Sequence, residues 1–169
     1  MNDKNLLNYP LSGYEMMELN PDAKLMSYDQ LNNVTNIKEL FKNTNKLIIL
    51  YLLHSKSSGH WCCLFLNNTG FNYFDSYGED IDEQLKFLSK VERNEYNQKK
   101  DKLKQLLKNY FVIYNNISLQ QEGTMTCGCF VTHRLHNSNI DAKNYIDFFK
   151  YNVNNPDLFV AKYCYNLLK

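Results

Sequence analysis

The stretch Gln120-Gln121-Glu122-Gly123-Thr124-Met125-Thr126-Cys127-Gly128-Cys129-Phe130-Val131 is a polar, turn-prone run that stops at a cysteine, where an apolar segment begins. From Cys127 onward, apolar residues fall at 127, 130, 131 and 135, the stripe of a helix with one buried face. Gly123 and Thr126 supply turn and N-cap chemistry just before it, so the spacing predicts a helix that starts at Cys127. That position matters for reactivity. A thiol at a helix N-terminus faces aligned backbone N–H groups that favour the thiolate, which is the nucleophilic form. The competing description is a buried structural cysteine in a core helix, and Cys127 alone does not decide between them.

A cysteine nucleophile also needs a base, a group that orients the base, and donors for the oxyanion. Candidates stand upstream. Gly59-His60-Trp61 opens the apolar run Cys62-Cys63-Leu64-Phe65-Leu66, which reads as a buried strand. After the turn Asn67-Asn68-Thr69-Gly70, a second strand over 71–74 ends at Asp75. Two antiparallel strands joined by a short turn bring the start of the first beside the end of the second, which predicts that His60 and Asp75 are neighbours.

His60-Trp61, then Phe74-Asp75-Ser76-Tyr77-Gly78, then Gln121 six positions before Cys127-Gly128, resembles the cysteine proteases that include the adenovirus maturation protease (adenain) and the ubiquitin-like-protein (SUMO) proteases. The order His, Asp, Gln, Cys is that family's and the reverse of papain's, and the resemblance spans about residues 46 to 137. It implies Cys127 as nucleophile, His60 as general base and then acid, and Asp75 as the residue that orients His60. It further implies an oxyanion hole made of the Gln121 side-chain amide and the Cys127 backbone N–H, with Gln120 as the alternative glutamine. Trp61 and Gly128 are the implied substrate-binding residues, beside a narrow channel that admits small residues such as a Gly-Gly pair. SUMO proteases usually carry Asp just before the cysteine. Thr126 stands there in this chain, which leans toward the viral branch, whose residue is small.

At 169 residues the chain is read as one domain, large enough to bury a core without cross-links. A net charge of +1 gives no electrostatic footprint for nucleic acid. No apolar run approaches the roughly 20 residues of a membrane span, and residues 1–20 carry Asp3, Lys4, Glu15 and Glu18 rather than a signal peptide. Five cysteines, at 62, 63, 127, 129 and 164, are then expected to be free thiols in a reducing compartment. Their spacing is not that of a zinc site, so neither metal nor cofactor is expected. Cys62 and Cys63 should lie on opposite faces of their strand, and Cys129 should point away from Cys127 into packing.

Residues 1–32 read as an irregular arm, which is a candidate border of the cleft. Thr35 is expected to cap a helix over 36–43, and residues 46–53 form a continuous apolar run expected as a central strand buried on both faces. The lysine-rich segment around 97–108 reads as the wet side of an amphipathic helix with Leu103, Leu106 and Leu107 inward. A short strand follows at 111–114, then helices capped by Asp141 and started by Pro156. His54, His133 and His136 are weaker rival bases, the last two read as surface or helix-end residues, and Asp80 and Asp82 are weaker rivals of Asp75.

The expected fold is therefore α+β, a central mixed sheet of four to five strands flanked by helices, with the nucleophile at the N-terminus of a central helix, as in adenain. The expected function is a cysteine endopeptidase that cleaves after small residues and processes viral capsid or core precursors, in the virion and host cytoplasm. The resemblance also allows an activating peptide. The alternatives are a protease for SUMO or another ubiquitin-like protein, and an inactive protein-binding module that kept the cleft.

Overall fold

A computed structural model describes residues 1–169. Its framework is a five-stranded mixed sheet in which the strands lie in chain order: β1 (Lys24–Ser27), β2 (Lys46–Ser55), β3 (Ser58–Asn67), β4 (Gly70–Phe74) and β5 (Val112–Tyr114). The inner pairs β2/β3 and β3/β4 are antiparallel, and the outer pairs β1/β2 and β4/β5 are parallel. The run at 46–53 is buried on both sides, as its unbroken apolarity predicts. Ile48, Leu50 and Leu52 enter one core layer, and Leu47, Ile49 and Tyr51 enter the other. Cys63 and Cys62 divide between the same two layers, since successive strand residues point to opposite faces.

The first layer is closed by three helices: α5 (Cys127–His136), α6 (Ala142–Asn152) and α7 (Pro156–Leu167). Asp141 caps α6, its carboxylate accepting from the Asn144 N–H at 2.8 Å, and Pro156 opens α7 behind the Asn155 cap. The second layer is covered by 3₁₀ turns and the short helix α4 (Lys102–Leu107), where Leu103 and Leu107 face inward and Leu106 is only partly buried, while α3 (Lys90–Glu95) buries none of its residues.

Three expectations need correction. The first 32 residues are not irregular: they contain α1 (Asp3–Leu7), α2 (Gly13–Leu19), strand β1 and a 3₁₀ turn at Tyr28–Asn33. The signal for α2 was present in Ser12 and Glu15, which form a reciprocal capping box. The helix expected at 36–43 is a 3₁₀ turn, Ile37–Phe41, capped by Asn36 rather than Thr35, whose hydroxyl bonds the Glu39 side chain instead. Thr126 occupies the N-cap position of α5 but makes no cap bond, because its hydroxyl is taken by another partner described below.

Candidate active site

The β3/β4 hairpin explains how His60 and Asp75 meet. Cys63 pairs with Phe74, so Asp75 leaves β4 opposite Cys62. His60 is two residues earlier on β3 than Cys62 and shares its face. The imidazole Nε2–H donates to Asp75 Oδ1 at 3.0 Å, with both groups buried. Tyr77 stacks on the imidazole, with ring centroids 5.1 Å apart, and its backbone N–H donates to the same Oδ1 at 2.8 Å. Oδ2 receives the Gln84 side-chain N–H at 2.7 Å and the Cys62 thiol at 3.5 Å. The Asn115 amide clamps the Asp75 backbone, accepting from its N–H and donating to its carbonyl.

Cys127, the first residue of α5, lines the same cleft as His60, and the imidazole and the backbone N–H groups of Trp61 and Gly128 favour its thiolate. Burial works against a thiolate there. The His60 imidazole, its charge and the two N–H donors outweigh it, and the Cys127 pKa lies below the usual thiol value. For His60, burial opposes protonation, and its thiol and carboxylate neighbours overcome that to hold its pKa well above the usual value. Burial pushes the Cys62 thiol up to about 12, and the Asp75 carboxylate beside His60 favours the imidazolium. Burial raises the Asp75 carboxyl, but His60, Tyr77 and Gln84 more than compensate and leave it below its usual value. His60, Cys62 and Asp75 also offer metal-ligand atoms within 4.8 Å of one another, but these atoms already satisfy each other by hydrogen bonds.

These groups open onto a cleft of about 820 Å³ whose walls include His60, Trp61, Tyr77, Gln84, Gln120 and Cys127. Trp61 lines it, its indole N–H donating to the Leu11 carbonyl at 3.1 Å. The N-terminal arm borders the cleft through Pro10. Gln121 does not: its side chain is exposed and is not part of the cleft wall, where Gln120 is the buried glutamine. Gln120 Oε1 accepts from the Ser76 hydroxyl at 2.6 Å and its Nε2 donates to the Thr124 carbonyl at 3.0 Å, which leaves one amide N–H unused. Gly128 also departs from expectation. It is buried away from the cleft, and an added Cβ there would meet Met16 Sδ at 3.0 Å, Leu11 Cβ at 3.1 Å and Trp61 Cδ1 at 3.2 Å.

The rival residues lie elsewhere or do other work. His54 is exposed at the cleft mouth. His133 is buried, not at the surface, where it bonds the Tyr145 hydroxyl at 2.9 Å and burial lowers its pKa to about 4. His136 bonds Tyr163 and the Leu19 carbonyl. Asp82 is held by Tyr51 and the Lys104 N–H, and the Asp80 carboxylate accepts from the Ile81 N–H. Sequence reasoning missed Gln84 and Cys62 as partners of Asp75. Cys62 was within reach of the hairpin register, but nothing in the spacing of Gln84 marks it.

The fold is the one expected from the sequence, an α+β cysteine-protease fold with a mixed sheet flanked by helices. ChlaDub1 from Chlamydia trachomatis superposes with a TM-score of 0.51 at 12% identity, over 95% of this chain and 91% of that one. The SUMO protease Ulp1 overlays more loosely, with a TM-score of 0.38 at 16% identity, over 100% of this chain and 79% of that one. No family profile matches the chain. Uncharacterized protein V9 of Sputnik virophage is 30% identical over 146 residues, covering 81% of this chain and 83% of the relative, and the chain belongs to that protein's family. No helix is long and apolar enough to cross a membrane.

Proposed function

We propose that the chain is a cysteine endopeptidase that cleaves after small residues and processes viral capsid or core precursors. One observation carries the reading: a single imidazole, His60, bonds a buried carboxylate and lines the same cleft as Cys127, a thiol of lowered pKa at the start of α5. In the reaction, the Cys127 thiolate adds to the scissile carbonyl carbon. The Gln120 N–H left free and the Cys127 backbone N–H stabilise the resulting oxyanion. Imidazolium His60 then gives its proton to the leaving amine as the C–N bond breaks, leaving a thioester. Neutral His60 next takes a proton from water, which attacks the thioester and releases the acid and the thiol. Trp61 at the cleft wall favours small residues before the bond, and kinship with a virophage protein supports the viral setting.

The test is incubation of wild type and Cys127→Ala with virion precursor proteins containing Gly-Gly-X sites, beside SUMO and ubiquitin precursors. Cleavage of the virion precursors by wild type alone is expected. Cleavage of only the ubiquitin-like precursors would move the assignment to a deconjugating protease. No cleavage, together with uniform slow alkylation of all five thiols, would leave a binding module.

A further inference from the structure

The loop that carries Gln120 to Cys127 is pinned by a residue more than 30 positions downstream. Asp157 is completely buried near the start of α7. Its Oδ2 accepts the Gln121 backbone N–H at 3.1 Å, and its Oδ1 accepts the hydroxyls of Thr124 at 2.8 Å and Thr126 at 2.5 Å. Those donors span the loop between the glutamine and the nucleophile, and no cationic side chain pairs with the carboxylate. The α7 N-terminus supplies the compensating field, since its unpaired N–H groups favour negative charge. The loop is tethered at both ends as well. The Leu119 and Gln120 N–H groups donate to the Ser76 carbonyl, and the Met125 N–H donates to the Leu7 carbonyl.

Thr124 links the clamp to the chemistry. Its hydroxyl binds Asp157, and its carbonyl receives one Gln120 N–H, which sets where the other Gln120 N–H points. We propose that Asp157 is a positioning residue for the oxyanion hole: it fixes the shape of the 120–126 loop and so aims the free Gln120 amide at the carbonyl under attack. Asp157 touches neither the thiol nor the substrate. The inference rests on the peptidase reading of Cys127, and it predicts a separation between two reactions of the same sulfur. Alkylation by iodoacetamide builds no oxyanion and does not need the hole, whereas acyl transfer and capture of an aldehyde do.

Asp157→Asn keeps the side-chain volume but sets a donor against one of the loop's donors. It is expected to alkylate at Cys127 within about twofold of wild type, yet to bind a peptide aldehyde ending in Gly-glycinal at least about tenfold more weakly. On a Gly-Gly-X peptide, kcat should fall by a similar factor with KM nearly unchanged. Asp157→Glu, which keeps the carboxylate, should recover part of both losses. Wild-type aldehyde affinity in Asp157→Asn, or a parallel loss of alkylation and aldehyde binding, would overturn the proposal.

Hydrogen exchange at the Gln121 amide gives a readout that does not depend on peptidase activity. The clamp predicts exchange at least about tenfold faster in Asp157→Asn, without global unfolding. If wild type shows no selective alkylation and captures no aldehyde, the peptidase reading fails and takes the oxyanion role with it. Unchanged exchange at Gln121 would remove the clamp itself.

Discussion

His60 Nε2 lies 3.0 Å from Asp75 Oδ1, and the Asp75 carboxylate is wrapped by three further donors, the Tyr77 N–H, the Gln84 amide and the Cys62 thiol. The bond fixes which imidazole nitrogen carries the proton in the neutral ring. Nε2 holds the hydrogen for Asp75, and under the proposed mechanism the opposite nitrogen is left to exchange a proton with Cys127. Loss of the orienting carboxylate therefore affects both the tautomer and the charge of the base.

Asp75→Asn tests the electrostatics through pH. The His60 pKa is raised in the folded chain, so its contribution to stability is complete below the unfolded value of about 6.5 and is lost as pH rises through the folded pKa. The Asp75 pKa is lowered, so its contribution is complete above about 3.9 and is lost as pH falls through the folded pKa. The excess in melting temperature of wild type over Asp75→Asn should therefore be greatest between about pH 4 and 6.5 and shrink on either side. Thermal melts across that range check it, and a pH-independent difference would contradict the ion-pair description.

Gln120→Ala and Gln121→Ala, two neighbours in sequence, should behave differently. Removal of an oxyanion donor costs about 10²–10³ in kcat, and that loss is expected for Gln120→Ala. Gln121→Ala should retain activity, since its side chain is exposed and its hydrogen bonds to Asp157 and Thr124 run through its backbone. Steady-state kinetics on one peptide decide it, and the reverse ranking would restore the glutamine expected from the sequence.

Gln84→Leu removes a donor from a buried carboxylate while filling the space. The loss should cost about 1–3 kcal/mol of stability, read by urea unfolding, because Asp75 Oδ2 then keeps only the weak thiol donor. Alkylation of Cys127 should also slow, since a less firmly held Asp75 supports the His60 imidazolium less well. Stability and alkylation both at wild-type level would remove Gln84 from the site.

Gly128→Ala should destabilise the fold by about 1–3 kcal/mol, the usual cost of overpacking. The added methyl meets the Leu11 and Trp61 carbons as well as the flexible Met16 thioether, so relief at Met16 alone is not enough. Urea unfolding measures the cost, and an unchanged midpoint would mean that the arm shifts away freely.

The legible parts of this protein are those that a few adjacent residues determine. The apolar run 46–53 specified a strand buried on both faces, Asn67–Gly70 specified the turn, and Asp141 and Pro156 marked helix starts, because hydrophobic period and backbone preference act over one or two turns of chain. The hairpin register even brought His60 to Asp75, because an antiparallel pair joined by a short turn leaves little freedom in which residues meet. Only the folded chain set Gln120 rather than Gln121 on the cleft wall, turned Gly128 into a packing contact for the N-terminal arm, and brought Gln84 to Asp75 and Asp157 to the 120–126 loop. Those outcomes depend on hydrogen bonds and close contacts between segments that share no local pattern. Which groups meet there is set by how the layers pack, and packing leaves no periodic trace in the sequence.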